Sequence, residues 1–264
     1  MSYSIDLNGK VAVITGSSRG LGRAMARSLA DAGAKTVITS RTLKSLEPVQ
    51  KELEDSGHDV LSVELDVRSH ESIQAMAKKA LGHFGQVDIL VNNAGMNVRK
   101  PATELTWEDW DAVLETNLKG AFFCSQALVP SMIERRWGRI INIGSATNIL
   151  AYPNITAYCA SRGGMLQMTK SLGAEWGHLG ITVNVLAPGW FRTEQTRVLW
   201  ENEEWMKSIA DRIPNGRIGE PEEVGASAVF LASEDAAYVN GSLFMIDGAF
   251  TTGGQRSTVP MKKE

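Results

Sequence analysis

The chain has 264 residues, 43% of them hydrophobic and 22% charged, which is enough apolar content for a sizeable core and excludes a disordered or fibrous protein. Lys plus Arg number 27 against 30 Asp plus Glu, giving a formal charge of −3, so the basic excess of a nucleic-acid-binding protein is absent and no such partner is expected. Two cysteines are too few for a disulfide framework, and neither a basic-then-apolar leader nor a run of 18 apolar residues occurs; the expectation is a soluble cytoplasmic protein with no membrane partner.

In chain order, Val- and Ile-rich runs alternate with longer amphipathic stretches. Strands are predicted at 11–15, 36–40, 60–65, 87–91, 140–143, 182–186 and 243–246, and helices at 21–32, 43–56, 72–84 and 107–135. Continuous apolar strands alternating with helices imply a parallel sheet covered on both faces. The fold class is therefore α/β, a single Rossmann-like, doubly wound sheet of about seven strands with helices on both faces. One domain is expected over 1–254, followed by a polar tail at 255–264. Residues 188–208 read as irregular, and 188–215 as a flap over a site.

The first strand runs into Thr15-Gly16-Ser17-Ser18-Arg19-Gly20-Leu21-Gly22 and then a helix. Glycines there permit a tight turn and close backbone approach to a pyrophosphate, and the helix start offers unpaired N–H groups. Ser40 and Arg41 end the second strand, where a carboxylate would select NAD and an arginine accepts a 2′-phosphate. With Arg19 in the turn and no acid at 40–42, NADP(H) is the preferred cofactor and NAD(H) the alternative. Asp66 and Val67 end the third strand, and Asn92-Asn93-Ala94-Gly95 the fourth, at the sheet edge where such folds bind ligands. Asp66 is placed to accept from an adenine amino group. Asn93 and its small neighbours let the chain pass close to the adenosine ribose.

The fifth strand ends in Gly144-Ser145. Thirteen residues on comes Tyr158, with Arg162 four further along, which puts phenol and guanidinium on one helical face. Asn117 lies within the long helix that precedes the fifth strand. With these residues in place, the chain resembles the short-chain dehydrogenase/reductase family over about residues 7 to 250. The Thr-Gly-x-x-x-Gly-x-Gly turn matches at 15–22 and Asn-Asn-Ala-Gly at 92–95. The family's catalytic asparagine, serine and tyrosine match Asn117, Ser145 and Tyr158, and its Pro-Gly-x-x-x-Thr element matches Pro188, Gly189 and Thr193.

The resemblance implies reversible hydride transfer between a nicotinamide and an alcohol or ketone carbon. Tyr158 is then the acid/base, Ser145 holds the substrate oxygen and Asn117 organises a water in the proton path. Thr193 and the backbone near Gly189 secure the nicotinamide amide. One position departs from the pattern: the family's Tyr-x-x-x-Lys reads Tyr158-Cys159-Ala160-Ser161-Arg162. An arginine supplies a fixed cation, worth about 3 kcal/mol at about 5 Å and an effective dielectric near 20. It also forks to two ribose hydroxyls, but it neither releases a proton nor accepts one, so a relay must run through water and hydroxyls instead. An active enzyme is expected.

Substrate contacts are expected from 96–100, 146–154 and 190–197, with Asn97, Arg99, Asn148, Asn154, Trp190 and Arg192 giving a moderately polar lining. That lining suits a sugar acid or polyol, and the segments 153–158 and 187–193 look most like the gluconate 5-dehydrogenase branch. The alternative is a 3-oxoacyl-(acyl-carrier-protein) reductase, which requires a basic patch beside the cleft, for which Arg135, Arg136 and Arg139 are the candidates. A second alternative is a dinucleotide-binding regulator without turnover. No His or Cys cluster has metal-ligand spacing, so no metal is expected. Trp107, Trp110, Trp137 and Trp176 are read as packing residues, and Glu201, Glu203 and Glu204 as a solvated helix face. The family resemblance further implies a homotetramer built through 107–135, 157–178 and the last strand.

Overall fold

Every predicted apolar run forms a strand in the computed structural model, which describes residues 4–253. The strands are β1 (Val11–Ile14), β2 (Lys35–Ser40), β3 (Val60–Glu64), β4 (Ile89–Asn92), β5 (Gly138–Ile143), β6 (Ile181–Pro188) and β7 (Leu243–Ile246). They make one sheet in the order β3-β2-β1-β4-β5-β6-β7, with every neighbouring pair parallel. The helices are α1 (Gly20–Asp31), α2 (Glu47–Asp55), α3 (His70–Phe84), α4 (Trp107–Leu114), α5 (Gly120–Arg135), α6 (Thr156–Trp176), α7 (Arg197–Trp200), α8 (Glu203–Arg212) and α9 (Pro221–Leu231). The polar tail expected at 255–264 lies outside the described residues.

Strand residues divide between two cores by the alternation of successive side chains. Ala12 and Ile14 pack with Met25 and Leu29 of α1, Leu53 of α2 and Val224 and Ala228 of α9. Val11 and Val13 face the other way, onto Met76 of α3, Leu128 and Met132 of α5 and Leu172 of α6. Both faces are thus buried, which is why the strands carry continuous apolar runs. The order reverses between β1 and β4, opening a crevice at the carboxyl ends of the strands.

Three readings of the sequence need correction. The helix expected over 107–135 is interrupted at Glu115–Lys119 by a π-helical turn, which carries Asn117. The stretch 188–208 is largely ordered as α7 and the start of α8, because an Asn202 N-cap accepting from the Trp205 N–H starts a helix whose Ile209 is buried. Trp107 is no packing residue, since at the first turn of α4 its side chain is 81% exposed. Trp176 is buried as expected, and Trp137 lies between Lys10 and Arg139 with its N–H donated to Glu234. No helix among the described residues is long and apolar enough to cross a membrane.

Candidate active site

The glycine-rich turn joins β1 to α1 with left-handed backbone at Gly16 (φ 66°) and Gly20 (φ 55°). Its third glycine is a packing requirement: a Cβ at Gly22 would overlap the Gly16 carbonyl and lie 2.5 Å from Asn93 Nδ2. α1 has no side-chain N-cap and no acidic residue in its first turn, so its leading N–H groups face the crevice edge uncompensated. Ser18, Gly20 and Leu21 are half-buried beside it, and Arg19 is exposed. These features fit a dinucleotide pyrophosphate: a cradle that a Cβ would fill, and a bare helix start.

Asn93 is also tied to the glycine turn. Its Nδ2 donates to the carbonyls of Thr15 and Gly16, both at 2.9 Å, and thus buttresses the turn. Thr15 completes the tie, since its hydroxyl oxygen accepts from the N–H groups of Asn93 and Ala94 at 2.9 Å each. Ala94 packs against Gly16, where a Cβ would meet the Ala94 Cα at 3.0 Å. At the β2 end, Ser40 Oγ accepts from Ser45. Arg41 is exposed, and among the described residues neither it nor Arg19 has an ion-pair or side-chain hydrogen-bond partner. Asp66 uses one carboxylate oxygen to accept from the Arg68 N–H at 2.9 Å, and Val67 is packed over Gly120.

The second half of the site gathers around α6. Asn117 is wholly buried: its Oδ1 accepts from the Met96 N–H at 2.8 Å, and its Nδ2 donates to the Met96 carbonyl at 2.9 Å and to Ser161 Oγ at 3.1 Å. Ser161 Oγ donates in turn to the Tyr158 carbonyl at 2.7 Å, so one hydroxyl links the π turn to α6. Sequence reasoning missed Ser161, since a contact between positions 44 apart leaves no local signal.

Arg162 is 5% exposed, with its guanidinium carbon 4.8 Å from the centroid of the Tyr158 ring. Nη1 donates to the Ile143 carbonyl at 2.8 Å, and Nη2 leaves no room for a Cβ at Gly95. Nε is buried without a hydrogen-bond partner. The arginine is therefore an internal cation held beside the phenol ring. Ser145, half-buried at the end of β5, accepts on its hydroxyl oxygen from the Thr147 N–H at 3.2 Å.

The segment after β6 reaches back to the glycine turn, with Thr193 nearest Gly20 and Gly189 packed on Asp247. Thr193 caps the short turn that follows, sharing its hydroxyl with Thr196 at 3.0 Å, and Pro188 pairs with Ile246 in the sheet. The segment 188–193 and the glycine turn thus lie along one sheet edge.

Of the residues expected to line a substrate pocket, Asn148 and Arg192 are already engaged within the protein. Asn148 has both amide atoms on main chain, accepting from the Ser145 N–H and donating to the Arg162 carbonyl. Asn154 is exposed with φ 66°, and Arg192 lies over Trp200 and pairs with Glu220. Arg99 is exposed, and Asn97 is half-buried with an unpartnered Oδ1. Trp190 meets Trp205 edge to face at 5.1 Å and Tyr152 at 6.4 Å, in a cluster shared with Ala146 beside Ser145. Burial pushes the Tyr152 phenol above the usual tyrosine range, against the pull of the Arg212 guanidinium.

The candidate basic patch is not beside this site. Arg139 is the second residue of β5, at the opposite edge of the sheet; it is 2% exposed, with its Nε on the Ser233 carbonyl and Nη2 on Glu234. Arg135 is bound to the Val87 carbonyl and to Asp88. Among the described residues, no group of three or more His, Cys, Asp or Glu side chains is placed to hold a metal ion.

A family model described as enoyl-(acyl-carrier-protein) reductase matches residues 16–251. The gluconate 5-dehydrogenase of Gluconobacter oxydans is 38% identical over 93% of this chain and 96% of its own. The 3-oxoacyl-(acyl-carrier-protein) reductase of Haemophilus influenzae is 38% identical over 92% of this chain and 98% of its own. Among solved structures, the gluconate 5-dehydrogenase of Burkholderia cenocepacia, in complex with NADP and tartrate, superposes with a TM-score of 0.90 at 38% identity. That match covers 94% of this chain and 98% of the other.

Proposed function

The chain belongs to the short-chain dehydrogenase/reductase family, and we propose that it is an NADP(H)-dependent member acting on a sugar acid or polyol and the corresponding ketone. The observation that carries this reading is the buried Arg162 guanidinium over the Tyr158 ring, set at the same sheet edge as Ser145 and the glycine turn.

When bound, the nicotinamide supplies or accepts the hydride. Gly16, Ser18, Gly20, Leu21 and Gly22 form the phosphate cradle, and Arg19, Ser40 and Arg41 take the 2′-phosphate. Asp66, Val67, Asn93, Ala94 and Gly95 border the adenosine, with NAD(H) accommodated less well. Pro188, Gly189 and Thr193 hold the carboxamide. Ser145 donates a hydrogen bond to the substrate oxygen, and Tyr158 gives or takes its proton. Arg162 stands beside that phenol as a fixed cation that neither gives nor takes a proton, so the proton leaves through hydroxyls and water. Asn117 organises a water in the proton path, and its buried amide also holds Met96 and Ser161 in place.

For the substrate, the support is a relative named for gluconate and a neighbour solved with tartrate, a hydroxylated carboxylate. Aromatic side chains such as Tyr152, Trp190 and Trp205 suit the C–H faces of a polyol, and exposed Arg99, without an ion-pair partner among the described residues, suits a carboxylate. The acyl-carrier reading loses its docking patch, since Arg135 and Arg139 are engaged at the far edge. We read 1–254 as one unit with 188–215 as the flap. An apolar groove of Leu114, Leu118, Phe122, Phe123 and Met168 across α4, α5 and α6 supports assembly into a homotetramer. Two free cysteines support a cytoplasmic, reducing setting.

The test is turnover of 5-ketogluconate and a polyol panel against acetoacetyl thioester, with NADPH and NADH binding titrated in parallel. Preference for the thioester overturns the substrate assignment. Tight NADPH binding with no turnover on any carbonyl identifies a regulator, and activity surviving Tyr158→Phe removes the acid/base assignment.

A further inference from the structure

Asn148 stands three residues after Ser145, and its amide closes a ring of main-chain contacts. Oδ1 accepts from the Ser145 N–H at 2.8 Å, and the Asn148 N–H donates to the Ser145 carbonyl at 2.9 Å. Nδ2 crosses to α6 and donates to the Arg162 carbonyl at 2.6 Å. From the other side, Nη1 of the same Arg162 donates to the Ile143 carbonyl at 2.8 Å. The segment 143–148 is therefore fastened to one residue of α6 at two points, on either side of Ser145 in sequence. Space there is closed as well: a Cβ at Gly144 would overlap Asn148 Oδ1 and lie 2.5 Å from Val185 Cγ1.

We propose that Asn148 is a positioning residue, which sets the spacing between the Ser145 hydroxyl at the end of β5 and the Tyr158 phenol one turn before Arg162 on α6. The inference rests on the roles proposed for Ser145 and Tyr158. Those two side chains come from different elements, and nothing covalent nearby fixes their separation. A misplacement of about 1 Å between reacting groups costs about 100-fold in rate. An asparagine suits the task because it carries a donor and an acceptor on one planar group, so a single side chain fixes two main chains. Aspartate keeps the acceptor for Ser145 but sets an oxygen against the Arg162 carbonyl. With both amide atoms engaged, Asn148 orients the groups that touch substrate instead of touching it.

The experiment compares Asn148→Asp and Asn148→Ala with the parent for kcat and KM on a carbonyl substrate, NADPH Kd, Tm and hydrogen exchange over 143–149. Both variants are expected to lose about 10- to 100-fold in kcat, with carbonyl KM and NADPH Kd within about twofold of the parent. Ser145 amide protection should survive in Asn148→Asp and be lost in Asn148→Ala. Unchanged kcat in Asn148→Asp overturns the bridge to α6. A raised KM with kcat retained makes Asn148 a substrate contact. A fall in kcat matched by an equal fall in NADPH-binding protein makes it a folding element only. A parent inactive on every carbonyl sinks the functional reading together with this inference, whereas an active parent and unimpaired variants refute this inference alone.

Discussion

Replacing Arg162 by methionine removes the cation beside Tyr158 while keeping an unbranched side chain of similar reach. With the guanidinium carbon 4.8 Å from the ring centroid, an effective dielectric near 20 assigns the lost attraction about 3 kcal/mol, or about 100-fold in rate. The substitution also strips the Ile143 carbonyl of its donor at 2.8 Å, which costs about 1–3 kcal/mol of stability at a buried acceptor. Two separable losses are therefore expected: a lower Tm and a kcat depressed by about 100-fold. Arg162→Lys keeps the charge and should stay within about tenfold of the parent. The assay is steady-state kcat and kcat/KM across pH in both directions, with Tm measured alongside. Arg162→Met running within about threefold of the parent at neutral pH would show that the cation contributes little to the rate. An inert parent whose turnover Arg162→Lys restores would show instead that the arginine disables the site.

Other substitutions test the remaining parts of the site. Gly22→Ala forces a Cβ onto the Gly16 carbonyl and against Asn93, so NADPH affinity should fall by at least about tenfold with a lower Tm; unchanged binding would mean the turn is not the phosphate cradle. Arg19→Ala and Arg41→Ala should each weaken NADPH by about 10- to 100-fold, the worth of a charge-assisted hydrogen bond, and leave NADH nearly untouched. Equal loss for the two dinucleotides would remove the arginines from 2′-phosphate recognition. Arg217 donates to both oxygens of Glu223 at 2.7 Å and holds that carboxyl at about 2, below its ordinary 4.5. Because the folded-state value is depressed, the stabilisation is complete above about 4.5 and fades as pH falls towards 2. The Tm deficit of Glu223→Gln should therefore be present at neutral pH and close over that interval; a deficit constant down to pH 2 would contradict it.

The strands and the glycine turn were legible in the sequence because both are local. Continuous Val and Ile runs report burial on two faces, and Gly16 and Gly20 report left-handed backbone wherever the chain goes next. Tyr158 and Arg162 were legible too, since helical spacing alone puts them on one face. What the sequence left open was decided by contacts between distant segments. Asn93 braces the turn at positions 15 and 16, and Asn148 bridges Ser145 to Arg162. Arg139 lies buried at the wrong edge of the sheet to greet a carrier protein. An amide or guanidinium looks the same in a sequence whether it awaits a ligand or is already saturated by main chain. Only the fold, by bringing carbonyls and N–H groups within hydrogen-bonding reach, settles which it is.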